Sequence, residues 1–312
     1  MVRGVFGALL LGLTAASAFV GVQQASSIAA RDVADRNPAA GYEHQIQQFR
    51  RELESDVRKK WVTLVGLHWL KAGRMTLGSA DDNDIQLPPS APAHAGYLDI
   101  EGEGGKQTVT LHAAADAKFV LNGKPISTAQ PKPDSSGKYD LVHLGTLEML
   151  IHGQPGEFAL RVRDTSNQRQ RSFAGLQFFP ADPEYRVTAH FERYENGRKL
   201  HITDVTGRAH EMPLVGRVSF KLQGRDLTLD ALSDSKDGKL FLIFRDLTTG
   251  KETYPVGRYL DTAAPRNGSV VLDFNKSYSP PCAFTAYATC PIPPKQNHLE
   301  VAIRAGEKGT GH

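Results

Sequence analysis

The chain lacks every short signature that announces a familiar catalytic class. It has no Gly-x-Ser-x-Gly elbow, no His-Glu-x-x-His pair, no Walker loop and no glycine fingerprint after a strand. It also lacks a charge of one sign. Lys and Arg total 37 against 34 Asp and Glu, and the resulting net charge of +3 is spread along the chain. Without a basic stripe, no nucleic acid or anionic membrane surface is expected as a partner. The eleven histidines stand singly, with no partner at ligand spacing, and His68, between Leu67 and Trp69, reads as a core residue. Neither a metal nor a cofactor is expected. Cysteine is scarce, with Cys282 and Cys290 the only two, and none near the start to carry a lipoprotein anchor. No repeat of 20–50 residues and no low-complexity tract is present.

What is there begins with the N-terminus. Residues 1–3 are weakly positive, residues 5–13 are apolar or small, and Ala16-Ser17-Ala18 has the small-x-small pattern of a signal-peptidase site. The apolar stretch is short for a membrane span. The expectation is a cleaved signal and leader over residues 1–30, cut after Ala18. The mature protein is then exported, periplasmic or secreted, and free of the membrane. An uncleaved anchor is the alternative, because residues 19–22 prolong the apolar character.

Ile46, Phe49, Leu53 and Val57 recur at spacings of three and four, which predicts one amphipathic helix over residues 45–60. Beyond it, short apolar runs alternate with Gly, Pro, Asn and Asp, so the expected fold class is all-β apart from that helix. A β-sandwich over residues 42–165 includes a hairpin at Asn122-Gly123. The polar stretch 164–171 marks a boundary. A second domain, residues 172–308, carries eight predicted strands, with hairpin turns at Asn196-Gly197 and Asp237-Gly238 and another turn at Thr249-Gly250. Such a series suits an antiparallel β-barrel or strongly curved sheet.

Polar groups are densest in residues 244–307. On a strand of period two, Asp273 and Asn275 share a face, and so do Tyr254 and Arg258 if residues 251–259 form one strand. Gly257 leaves room there for a close approach. If that face lines the barrel, carboxylates, an arginine and an amide converge on one pocket. The competing reading is that these groups organise turns and join neighbouring strands. Prolines then make residues 279–294 an extended rigid loop. Its cysteines are expected to form a disulfide, Cys282 with Cys290, in an oxidising compartment. The alternatives are a nucleophilic thiol served by His298, or a pair of metal ligands.

Several motifs carry a resemblance to a known family. They include Trp61, Gly66-Leu67-His68-Trp69-Leu70, Phe244-Arg245-Asp246, Thr253-Tyr254, Gly257-Arg258-Tyr259, Asp273-Phe274-Asn275, Pro281-Cys282, Thr289-Cys290-Pro291, Asn297 and Ala305-Gly306-Glu307. In these the chain resembles DUF1684, a family of mostly bacterial proteins of unknown function. The resemblance implies a shared fold and a site in the terminal block, to which it adds Asn297 and Glu307. It departs at Ser279, where the family pattern has asparagine. Residues 77–126 are similar, less closely, to the middle of a forkhead-associated (FHA) β-sandwich. Gly78-Ser79 replaces the Gly-Arg turn of that family, so its phosphate-binding arginine is missing.

The sequence thus predicts a small polar or anionic ligand bound by Asp246, Tyr254, Arg258, Asp273, Asn275, Asn297 and Glu307, with Arg258 as the anion partner. Two alternatives stand beside it. One is a hydrolase with Asp246 or Asp273 as general base, Arg258 stabilising negative charge and Glu307 as acid. The other is an envelope-associated interaction module, favoured if the barrel interior is filled by apolar side chains.

Overall fold

The protein is described by a computed structural model over residues 38–102, 107–154, 156–233 and 237–309. The leader and its Ala16-Ser17-Ala18 motif lie outside the described residues. Among the described residues, those from Phe49 onward form one compact unit. Helix α1 spans Pro38–Asp56 and tightens into a π-helical turn, Val57–Trp61. Arg58, Lys59 and Lys60 crowd that last turn, where the helix dipole favours positive charge. Val57 is buried, but Phe49 and Leu53, on the same predicted apolar face, remain half-exposed.

Eleven short strands follow: β1 Leu64–Trp69, β2 Gly73–Gly78, β3 Ile85–Gln86, β4 Gly96–Glu101, β5 Thr108–Ala113, β6 Phe119–Leu121, β7 Lys124–Pro125, β8 Thr128–Ala129, β9 Val142–Leu144, β10 Leu147–Gln154 and β11 Glu157–Asp164. They form two sheets, in the orders β1-β11-β10-β9-β6-β7 and β3-β2-β4-β5-β8. Alternation drives the packing. In β5, Val109 and Leu111 are buried while Thr108 is exposed, and in β4 Leu98 and Ile100 turn inward. These side chains meet Met149, Ile151, Leu160 and Val162 in one apolar core. Each such side chain contributes about 1.5–3 kcal/mol by leaving water. The predicted Asn122-Gly123 hairpin is present. Both residues have positive φ, 52° and 76°, and Val120 pairs with Pro125 across the turn.

A one-turn helix, α2 Gln168–Ser172, is capped by the Asn167 side chain, which accepts from the Arg169 N–H at 3.0 Å. A third sheet comprises β12 Arg186–Thr203, β13 Ala209–Leu222, β14 Arg225–Leu232, β15 Phe241–Phe244, β16 Arg258–Asp261 and β17 Ser269–Asp273, in the order β16-β15-β14-β13-β12-β17. Its two edges approach one another. Tyr259 of β16 and Tyr278, shortly after β17, exchange both backbone hydrogen bonds at 2.9 and 3.0 Å. The chain is therefore mostly β, with one long helix at its start, a sandwich and a strongly curled antiparallel sheet.

The structure corrects two local expectations. Asn196-Gly197 is not a hairpin but lies inside the 18-residue β12. Residues on both sides of it pair with β13, with the register shifting between Arg193 and Arg198. An Asn-Gly pair specifies positive φ, here 52° at Gly197, and a bulge uses that as readily as a turn. Nor do residues 251–259 form one strand. The Thr248 carbonyl accepts from the N–H groups of Lys251, Glu252 and Thr253, which folds that stretch into a turn, and β16 starts only at Arg258.

This third, curled sheet is covered on both faces. One face buries Val218, Leu229, Leu242, Leu260 and Leu272 against Leu299, Val301, Ile303 and Ala305 of the C-terminal segment. On the opposite face Ile202, Ile243 and Tyr259 meet Ala288 and Cys290.

Candidate functional site

The polar residues singled out in the sequence are buried, apart from the half-buried Tyr254, and their hydrogen bonds tie the chain to itself. Asp246 and Arg258 do meet. Phe244 pairs with Arg258 across β15 and β16, and parity carries both polar side chains to the face that holds residues 299–305. The Arg258 guanidinium donates to Asp246 Oδ2 at 3.1 Å and to the Ile303 carbonyl at 2.8 Å, and also to the Ala305 carbonyl. Asp246 Oδ2 further accepts from the Ile303 N–H at 2.7 Å, and Oδ1 from the hydroxyls of Thr248 and Thr249 at 2.7 and 3.1 Å. Side-chain exposure is 1% for Arg258 and 0% for Asp246. The expectation that Arg258 greets an anionic ligand is thus corrected, since the terminal segment occupies the space its guanidinium faces. Burial lowers the Arg258 pKa, with the Asp246 carboxylate acting in the opposite sense.

The remaining predicted residues hold the chain to itself. Asn297 donates to the Asp230 and Ile243 carbonyls at 3.0 and 2.9 Å and accepts from the Asp230 N–H at 2.7 Å. Asn275 donates to the Asp182 carbonyl at 2.7 Å and accepts from the Asp182 N–H at 2.9 Å. Asp273 caps the turn Phe274–Lys276 and lies 4.0 Å from Arg186 Nε. Asp273 and Asn275 therefore sit at a strand end and in a 3-10 turn, not on one strand face. Tyr254 lies in the loop before β16 and donates to the Cys282 carbonyl at 2.9 Å. Glu307 Oε2 accepts from the Ser279 N–H at 2.8 Å, while Oε1 is buried without a partner. Burial pushes this carboxyl up to about 7.

A cavity opens elsewhere, and sequence reasoning missed it. It has about 500 Å³ and lies between the end of α1 with its π turn and the closing seam of the curled sheet. Phe49, Leu53, Val57 and Trp61 form one wall, and Tyr259, Tyr278, Ser279, Pro281 and Phe284 the other, with Phe241 beside them. This explains why Phe49 and Leu53 are only half-buried. Glu52, Asp56 and Asp261 supply carboxylates against one cation, Lys60, which pairs with Asp56 at 2.8 Å. Tyr278 donates to Asp261 Oδ2 at 2.7 Å, and burial with this carboxylate drives the phenol far above its usual range, so it remains a neutral donor. The helix wall was legible as an apolar stripe, but its exposure and the facing tyrosines were not.

A second polar cluster, also without a local sequence signal, sits behind Trp61. His152 Nδ1 is 2.7 Å from Asp134 Oδ2, and its Nε2 lies 3.1 Å from an Arg161 guanidinium nitrogen. Arg161 stands 5.8 Å over the Trp61 ring, and Gln154 donates to Thr289 Oγ1 at 3.1 Å. In the sandwich, Ser79 Oγ donates to the Ala91 carbonyl at 2.8 Å, so the hydroxyl at the FHA-like turn has a partner within the chain.

The model of the family described as a protein of unknown function, DUF1684, matches residues 171–308, the curled sheet and terminal block together. Residues 171–308 of the chain are similar to this family. No curated protein matches it. Among solved structures, an uncharacterized protein of Haloarcula marismortui is 35% identical over 45% of this chain and 80% of its own, with a TM-score of 0.39. The FhaA FHA domain is 17% identical over 31% of this chain and 97% of its own, with a TM-score of 0.22. The DUF1684 match takes in Asp246, Arg258, Asn297 and Glu307. It begins at residue 171, after the sandwich motifs around residues 66–70 that carried part of the resemblance.

Proposed function

We propose that this protein is exported and binds a small ligand with an apolar or aromatic body and a cationic group in the cavity between the Val57–Trp61 turn and the Tyr259–Tyr278 seam. The cavity's make-up carries the reading. Its volume of about 500 Å³ falls in the ordinary range for small-molecule sites. Aromatic and apolar walls supply contact area, and three carboxylates against one paired lysine favour positive charge. The ligand chemistry differs from the anion expected from Arg258, because that guanidinium is sealed by its partners. The hydrolase alternative loses Asp246 as its base for a similar reason, since its oxygens are spent on four donors, and Asp273 caps a turn.

One observation favours a second reading. The face of the curled sheet expected to hold polar groups is filled by Leu, Val, Ile and Phe side chains, which suits an interaction module. Calorimetric titration separates the two, using naphthylmethylamine and naphthoate as probes of equal body and opposite charge. The ligand reading expects saturable binding of the amine, little of the acid, and about tenfold weaker amine binding in Asp261→Asn, a loss of about 1.4 kcal/mol. Absence of amine binding, or equal binding of both probes, overturns it and leaves the interaction module.

A further inference from the structure

The two cysteines form an asymmetric pair that the ligand reading does not use. Cys282 lies in the short 3-10 turn Pro281–Ala283, and Cys290 precedes the proline-rich run that begins at Pro291. The Cys282 N–H donates to Cys290 Sγ at 3.1 Å, which brings the buried sulfur against the backbone of the other cysteine. Both are free thiols in the structure. Each is pinned by a tyrosine. Tyr254 donates to the Cys282 carbonyl at 2.9 Å, and Tyr259 to the Pro291 carbonyl, next to Cys290, at 2.8 Å. The two cysteines are thus held as neighbours by backbone anchors.

Their surroundings differ. Cys290 is 3% exposed and packs with Ile202, Leu232, Ile243 and Tyr259, whereas Cys282 is half-buried at the edge of that cluster. An accessible thiol beside a buried one is the arrangement thiol–disulfide exchange requires, one sulfur to meet the partner and one to resolve it. We propose that Cys282 and Cys290 are a redox-active dithiol that exchanges with small-molecule disulfides, Cys282 attacking and Cys290 resolving. The neighbouring Cys290 side chain lowers the Cys282 pKa, and Cys282 together with burial raises that of Cys290, which agrees with this division of roles.

The exchange balances in two steps. The Cys282 thiolate attacks one sulfur of the external disulfide, forming a mixed disulfide and expelling a thiolate. Cys290 then gives up its proton and attacks Cys282 Sγ, closing the intramolecular bond and expelling the second thiolate. Both expelled thiolates take up the protons the cysteines lost, so two protein thiols are oxidised and one external disulfide is reduced.

The test equilibrates the full chain in buffers of varied glutathione to glutathione-disulfide ratio, alkylates free thiols and identifies the products by mass spectrometry. Wild type is expected to pass reversibly from two alkylated thiols to one intramolecular bond across a single midpoint. Cys290→Ser is expected to hold glutathione on Cys282, whereas Cys282→Ser leaves Cys290 unmodified. The proposal is overturned if both wild-type thiols stay alkylatable at every ratio, or if the bond is never reduced in the native protein. Equal glutathione uptake by the two variants overturns the assigned roles. The wild-type arm requires no substitution and stands whether or not the cavity binds a ligand.

Discussion

Replacing Asp246 tests the claim that the most conspicuous polar pair of the terminal block is a structural latch. The carboxylate accepts four hydrogen bonds, two from threonine hydroxyls, one from Arg258 and one from the Ile303 N–H. Asp246→Ala leaves a guanidinium that is 1% exposed without its counter-charge, together with an unpaired buried N–H. Removing one partner of a buried pair costs about 3–5 kcal/mol. Asp246→Asn keeps the shape. Its amide can donate to the threonine hydroxyls, which are able to accept, while its oxygen still receives Arg258 and Ile303. Only the charge is lost, at about 1.5–3 kcal/mol, the usual worth of a hydrogen bond to a charged group. Urea unfolding followed by Trp fluorescence gives both values from the shift in midpoint at constant slope. The expected ranking is wild type, then Asn, then Ala. If Asp246→Ala unfolds within about 1 kcal/mol of wild type, the pair is not desolvated and the account of a sealed latch is wrong.

Two further outcomes follow from the same geometry. The Glu307 pKa rises from 4.5 to about 7 on folding, so the folded state holds this proton more tightly than the unfolded chain does. Its contribution is fully present below pH 4.5 and lost as pH rises through 7, an effect of about 3 kcal/mol. Unfolding free energies measured from pH 4 to 8 should therefore slope less steeply downward in Glu307→Gln than in wild type, and parallel curves would refute the assignment. Asn297→Ala strips partners from two carbonyls and one N–H in a buried site, at about 1–3 kcal/mol for each group left unpaired. Chemical denaturation should show the loss, with Asn297→Asp also destabilised because it turns an oxygen toward those two carbonyls.

Much of the architecture was legible. Period-two alternation gave the strands of the sandwich, and the three-and-four spacing of Ile46, Phe49, Leu53 and Val57 gave the helix. Local signals failed where one residue type serves two geometries. Gly197 supplies positive φ to a bulge instead of a hairpin, and the Thr248 carbonyl folds a predicted strand into a turn. In the terminal block, the density of polar groups singled out Asp246 and Arg258, which do meet on one face of the curled sheet. It carried no information about what else reached that face.

The sequence by itself determined the class of fold and singled out the polar residues of the terminal block, because both rest on residue patterns along one or two adjacent strands. Only the tertiary structure decided that residues 299–305 fill the space before Arg258, and that the cavity opens instead between the helix end and the Tyr259–Tyr278 seam. Those outcomes depend on segments over 40 residues apart in the chain, such as Arg258 and Ile303, whose meeting is set by how the whole sheet curls.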